Sequence, residues 1–300
     1  MKICSKCGYR FETSSWVCPK CNHKPEMSEG FMIHAPEMAY KGGGFRPDAF
    51  KEIEALESSN FWFRSRNHLI LWTLNRYGSG VRSFLEIGCG TGFVLSGLSH
   101  ARTDMKLCGS EIFIAGLPYA RKRVPSAELM QMDARCIPFL QEFDAVGAFD
   151  VLEHIPEDEA VLTQLYQSLK PGGLLLVTVP QHPWLWSATD ERACHVRRYT
   201  TTELQKKVTA TGFDVLRTTS FVSLLLPAML LSRGRKSNHS DGSRIKAGDE
   251  SNLSAELQLS KLLNTALYCV MGIERFLIRL GINFKAGGSR LVVARRPSRK

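Results

Sequence analysis

The sequence predicts an α/β protein. Its core is a doubly wound, mostly parallel sheet, preceded by a small metal-organised unit and carrying a helical insertion near the C-terminus. Three observations lead there. Short apolar runs alternate with helical patterns between Ser83 and Phe221, which implies parallel strands with helices on both faces. One such run, "SFLEIGCGTGF", passes directly into Gly88, Gly90 and Gly92. Four cysteines near the start form two hooks, Cys4-x2-Cys7 and Cys18-x2-Cys21.

The chain of 300 residues suits one large domain, or one ordinary domain with additions. At 44% hydrophobic and 23% charged, it has ample material for a core. The net charge of +10 is unevenly placed. Residues 1–216 carry 24 Lys+Arg against 24 Asp+Glu, whereas residues 217–300 carry 15 against 5, the whole excess. Such a basic region suits an anionic neighbour, a lipid surface or nucleic acid; a merely solvated basic face is the bland alternative. The start lacks the apolar segment of a signal peptide, and the longest apolar run, Phe221 to Leu231, is too short to span a bilayer. The expectation is a cytoplasmic protein. The five remaining cysteines are scattered singly, as in a reduced compartment.

From the N-terminus, the first element spans residues 1–25. Two Cys-x2-Cys hooks each hold a tetrahedral ion from one side, with a short hairpin between them, and four thiolates leave no open position, so the metal is structural; a disulfide pair or a redox Cys-x2-Cys is the competing reading. Gly8 suits the tight turn after the first hook, and Tyr9, Phe11 and Trp16 are candidates to roof so small a unit. His23 is read as a solvated spare. The stretch resembles the zinc-ribbon family, which makes Cys4, Cys7, Cys18 and Cys21 the zinc ligands. Residues 26–49 mix Pro, Gly and charge with no sustained period and read as linker. A core over residues 50–220 opens with one or two helices between Phe50 and Gly78.

The glycines decide the cofactor class. Strand, tight turn and helix N-terminus let bare backbone approach a ligand closely. A dinucleotide fingerprint requires a further glycine at position 93, which is Phe93, and no Gly-Lys-Ser/Thr follows for a phosphate loop. The segment Glu86-Ile-Gly88-Cys-Gly90-Thr-Gly92 instead resembles motif I of the class I S-adenosylmethionine-dependent methyltransferases. Later pieces match in order: a second strand ends in Glu111, a third ends at Asp133 beside Ala134, a fourth ends in Phe149 and Asp150, and "LKPGGLLLVTVP" follows the next helix.

The resemblance covers roughly residues 60–220 plus the last strand and implies the seven-stranded, Rossmann-like class I sheet. It implies that Gly88, Gly90 and Gly92 pass under the methionine and ribose of S-adenosylmethionine, with Glu86 holding the loop near the ammonium group. Glu111 would accept the ribose hydroxyls, Asp133 and Ala134 would meet the adenine, and Phe149 would lie by the methionine.

Methyl transfer from a sulfonium needs an acceptor held in line, and a base only where the acceptor is protonated. His154 in "LEHI" is one candidate base, and a packing role is its alternative. His195 is favoured, because it lies in the polar segment "PQHPWLWSATDERACHVRRY" after the fifth strand, where acceptor contacts belong. Arg197 and Arg198 in that segment either bind the acceptor or pair with Asp190 and Glu191 to fix the loop. Arg64 or Arg66 beside Phe61-Trp62-Phe63 is a further wall of the site.

Residues 221–287 form the helical insertion, and residues 288–300 the last core strand and basic tail. The insertion holds "FVSLLLPAMLLSR", a polar loop around Lys236–Asn252 and an amphipathic helix beyond Leu253; it is read as a subunit interface, a pocket cover or an interfacial helix. The functional expectation is O-methylation of a small-molecule or lipid-linked acceptor, with peripheral contact to the inner membrane face through residues 221–285 and a homodimer as further partner. The competing expectation is an RNA or protein methyltransferase that grips its target with the ribbon and basic C-terminal region.

Overall fold

The computed structural model describes residues 1–40, 46–47, 49–237 and 259–298. The polar loop expected around Lys236–Asn252 and the start of the helix expected beyond Leu253 fall, from residue 238 to 258, outside the described residues.

The main sheet has nine strands. Its spine is parallel: β9 (Leu169–Pro180), β8 (Phe143–Phe149), β5 (Ser83–Ile87), β6 (Lys106–Glu111), β7 (Glu128–Gln131) and β4 (Phe31–Ile33) lie side by side in that order. At one edge β11 (Ser289–Arg295) runs antiparallel between β9 and β10 (Asp214–Phe221); at the other β3 (Glu26–Ser28) pairs antiparallel with β4. Seven of these are the strands expected from the sequence. The two extra strands correct the linker expectation for residues 26–49 over its first part, because Glu26–Ser28 and Phe31–Ile33 extend the sheet. Each is three residues long, too short for alternation to show. Gln131 locks the edge by accepting from Ala35 N (3.0 Å) and donating to Ala35 O (2.9 Å).

Helices cover both faces. The expected pre-strand helices are α1 (Ala49–Glu57) and α2 (Phe61–Tyr77), separated where Asn60 caps α2 by accepting from Trp62 N. With α3 (Phe93–Ala101) and α4 (Leu117–Arg123), α2 buries one face of the sheet through Leu69, Ile70, Leu74, Leu95 and Leu117. The other face is buried by α5 (Asp158–Ser168) and α7 (Thr201–Ala210), through Val161, Leu165, Leu204 and Val208. Thr200 caps α7 by accepting from Glu203 N. A short α6 (Ala188–Arg192) lies in the loop after β9. Because the chain leaves β5 outward through β6 and β7 and returns to β8 on its other side, the crevice beyond the carboxyl ends of β5 and β8 is the topological switch point, where ligands of such sheets bind.

The insertion supplies α8 (Leu226–Ser237) and α9 (Lys261–Arg279). Glu274 ties α9 to the end of β10 by accepting from Val222 N (2.6 Å), Ser223 N (2.6 Å) and Leu224 N (2.8 Å). Asn264 ties its other end to α2 by accepting from Phe61 N and donating to Ser59 O.

At the N-terminus β1 (Lys2–Ile3) pairs with β2 (Arg10–Phe11), so the hairpin encloses the first hook instead of lying between the two. Gly8 takes φ +69° there, and its N–H donates to Cys4 O. Phe11 is buried with Cys4 and Cys18, as a roof should be. Trp16 does a different job: its ring packs edge-on against His34 and Phe139 (4.8 and 5.5 Å), which fastens the unit to the main sheet.

Candidate cofactor and acceptor site

The glycine loop sits at the switch point. Gly88, Gly90 and Gly92 all take positive φ (+67°, +51°, +76°), which L side chains rarely adopt. Packing separates them further. A Cβ on Gly88 would lie 2.5 Å from Val151, and one on Gly92 2.8 Å from the Ala120 backbone, whereas one on Gly90 would meet only Phe50 at 3.7 Å. The outer two glycines therefore close the loop against α4 and the segment after β8, and the middle one leaves open space.

Carboxylates surround this loop. Glu111, at the end of β6, is buried and accepts from Gly90 N (2.9 Å), Ile112 N (2.9 Å) and Phe113 N (3.3 Å). Burial raises its carboxyl above the usual range, against the pull of those three N–H groups. Glu86 is buried under the loop with one oxygen, Oε2, lacking any hydrogen-bond partner, and burial pushes it well up while Arg66 opposes. An orphaned carboxylate oxygen beside bare backbone fits a ligand that carries a cationic hydrogen-bond donor. Asp133 follows β7, but both its oxygens face the Arg135 guanidinium (3.1 and 3.0 Å to Nε), and Arg135 reaches on to Glu157. Ala134 and Phe149 are buried beside it and at the end of β8. Asp150 pairs with Arg66, which lies over the Trp62 ring. Of the two arginines proposed for this wall, Arg66 is the one that reaches it; Arg64 stacks on Tyr268 instead.

Sequence reasoning did not find the clamp behind the loop. Thr91 donates to Glu57 of α1 (2.5 Å), and Arg123 of α4 pairs with Glu57 and donates to Thr91 Oγ1 (2.8 Å). Glu57 and Arg123 look like ordinary helix-surface charges in the sequence, and only the fold brings them together.

His154 and His195 meet across the mouth of the switch point, their rings edge to face at 4.8 Å. Nδ1 of His195 lies 2.9 Å from Asp190 Oδ1, and its Nε2 lies 3.9 Å from Glu153 Oε1. Asp190 is fixed by the capping box of α6 with Ser187 and by Arg198 Nε (2.7 Å). Burial pushes Asp190 up, but hydrogen bonds from His195 and Arg198 win and hold it far below the usual carboxylate range. Burial, reinforced by His195, drops His154 to about 4, so it is neutral at pH 7. Glu153 is fully buried, neither oxygen has a hydrogen-bond partner, and burial followed by the Asp150 charge raises it well above its ordinary value. Arg197 pairs with Asp158 (2.9 Å) and donates to Pro156 O (2.8 Å). Arg198 thus fixes the loop through Asp190, one of the two carboxylates considered for it, whereas Arg197 ties the loop to Asp158 of α5 instead of to Asp190 or Glu191.

Cys4, Cys7, Cys18 and Cys21 bring their sulfurs within 4.8 Å of one another, with Cys4–Cys21 at 3.6 Å and Cys7–Cys18 at 3.7 Å. A tetrahedron of thiolates around zinc at about 2.3 Å has edges of about 3.8 Å, so the donor set fits that ion. His23 faces outward and shares a hydrogen bond with Ser5 (3.1 Å).

Comparison with known proteins agrees with this geometry. A methyltransferase-domain family model matches residues 59–218. A probable S-adenosylmethionine-dependent methyltransferase of Mycolicibacterium smegmatis is 25% identical over 168 residues, 55% of this chain and 64% of that protein. A ubiquinone biosynthesis O-methyltransferase of Pseudomonas aeruginosa is 30% identical over 121 residues, 37% of this chain and 50% of that protein. The solved structure of Haemonchus contortus phosphoethanolamine N-methyltransferase 2 with S-adenosyl-L-methionine superposes with a TM-score of 0.55 at 18% identity, covering 84% of this chain and 58% of the other. The chain spans less than two thirds of the length of the first curated relatives it matches. With more than half its residues matched, strands and glycine loop included, the chain belongs to the methyltransferase-domain family and has the class I fold.

Proposed function

We propose that the protein transfers a methyl group from S-adenosylmethionine to a hydroxyl of a small-molecule or lipid-linked acceptor. The observation that carries this reading is the bare loop at Gly90, flanked by the orphaned Glu86 oxygen and by Glu111 at the switch point. When bound, S-adenosylmethionine supplies an activated sulfonium methyl. Gly88, Gly90 and Gly92 give it backbone without side chains, Glu86 serves its ammonium end, and Glu111 serves the ribose hydroxyls. Asp133 and Ala134 flank the adenine, and Phe149 packs on the methionine chain. Arg66, held by Asp150 and Trp62, faces the carboxylate.

On the acceptor side, Asp190 accepts a hydrogen bond from Nδ1–H of His195 and so leaves Nε2 as the unprotonated nitrogen to receive the acceptor's proton, the arrangement a general base requires. His154, neutral at pH 7, holds the His195 ring in place. Proximity and exclusion of water supply the remainder, up to roughly 7–11 kcal/mol in well-oriented systems. O-methylation accords with the O-methyltransferase named among the relatives. Zinc in the four-cysteine unit is structural. That unit is fastened to the sheet through Trp16 and through Ile3 N–H to Pro138 O (3.0 Å), which favours a role in the fold over one in gripping RNA or protein.

The test supplies the protein with methyl-labelled S-adenosylmethionine and an extract of the source cells, then separates lipid, RNA, protein and soluble fractions. Label in lipid or soluble metabolites, lost in a Gly90→Arg variant, is the expected result. Label confined to RNA or protein sinks this reading.

A further inference from the structure

Helix α9 has two faces of different kinds. The inner one is anchored by Glu274, Met271 and Ile278, all buried. The outer one carries Leu262, Ala266, Cys269, Ile273, Phe276 and Leu280, spaced four and three residues apart in turn, so they form one stripe along the helix. All six are exposed, Leu262 at 86%, Leu280 at 66%, Phe276 at 59% and Ile273 at 58%. A soluble surface rarely aligns its large apolar side chains in this way.

The charges around the stripe say what covers it. The only acid in α9 is the buried Glu274, so its outer face has none, while Lys261 and Arg279 stand exposed at its two ends. A second copy of this helix would meet like charge in either direction: Lys261 against Arg279 when antiparallel, Lys261 against Lys261 when parallel. An anionic lipid surface accepts the apolar stripe and both cationic ends together. The helix cannot cross a bilayer instead, because no described helix is long and apolar enough and α9 is tied down by Glu274 and Asn264. Its 19 residues run over roughly 28 Å at 1.5 Å per residue, the length a side-on contact would have.

We propose that the outer stripe of α9 docks the protein on an anionic lipid surface. This rests on the reading of a lipid-linked acceptor and gives it a route. Asn264 joins α9 to the α1–α2 junction, next to Glu57, which clamps the glycine loop from behind. The docked face therefore sits beside the element that borders the cofactor site.

The test uses the full chain without cofactor, sedimented with vesicles of phosphatidylcholine alone and of phosphatidylcholine mixed with phosphatidylglycerol. The protein should bind the mixed vesicles, weakly at high salt, and the double variant Ile273→Ser, Phe276→Ser should lower its partition at least about tenfold. Both positions are exposed, and an unchanged thermal midpoint verifies that the variant folds. Equal binding by wild type and variant, or no preference for the anionic vesicles, overturns the proposal. So does a dimer seen by light scattering that the double variant dissolves, since the stripe would then be a subunit interface. Failure to methylate a detergent-dispersed lipid fraction, with vesicle binding intact, would remove the acceptor reading and leave the docking surface standing.

Discussion

The three loop glycines are not equivalent, and the difference is measurable. Gly92→Ala puts a residue at φ +76°, which costs roughly 1–2 kcal/mol for an L side chain. It also drives a Cβ to 2.8 Å from Ala120 Cα, a backbone atom of α4 that can yield only if the helix shifts; such overpacking costs about 1–3 kcal/mol. Gly90→Ala meets a comparable conformational cost at φ +51° but no clash, its nearest neighbour being Phe50 at 3.7 Å. Both substitutions regain a similar part of the loss by restricting the unfolded chain. The steric difference survives the subtraction, so Gly92→Ala should be less stable than Gly90→Ala by about 1–3 kcal/mol, or roughly 2–12 °C in Tm. Urea titrations with unchanged slope would measure it, alongside calorimetric melting. Gly90→Ala, in contrast, should weaken S-adenosylmethionine binding while keeping most of its stability. Equal stability of the two variants, or a less stable Gly90→Ala, would refute the assignment of the outer glycines to packing and the middle one to ligand space.

Other consequences follow from named contacts. Asp158 accepts from Lys207 (2.7 Å) and Tyr199 OH (2.7 Å); burial raises its carboxyl, but these bonds win and hold it below its ordinary 3.8. A depressed acid contributes stability above that value and loses it as pH falls through the folded pKa, so Asp158→Asn should cost about 1–3 kcal/mol at pH 7, a difference that starts to shrink near that ordinary value and vanishes only once the pH is below the depressed folded pKa. Cys18→Ser should abolish stoichiometric zinc binding and expose the N-terminal unit to protease, with the sheet still folded; retained zinc would contradict the four-thiolate site. Asp190→Asn should lower kcat about 100-fold or more with cofactor affinity unchanged, because His195 loses the acceptor that fixes its tautomer; an unaltered kcat would remove His195 from the base role.

What the sequence displays and what it hides have physical causes. Glu111 and the loop glycines are legible because each stands at the end of a short strand of a parallel sheet, where the last residues must face the crevice. Strands β3 and β4 were not, since three residues carry no period and β7, the partner that joins β4 to the sheet, lies about a hundred positions away. The Glu57–Thr91–Arg123 clamp is invisible for the same reason: its members sit on three separate elements. Glu153 lies within the quoted "LEHI", yet nothing in four letters says that its carboxyl is fully buried. Trp16 shows the opposite error, an aromatic assigned to its own small unit that packs on the neighbouring sheet instead.

The central claim is that the glycine loop is an S-adenosylmethionine site, and calorimetric titration of the purified chain with S-adenosylmethionine tests it most directly. The geometry predicts one equivalent bound by the wild type and none by Gly90→Arg, with both proteins folded. No binding by the wild type, or equal binding by Gly90→Arg, would contradict it.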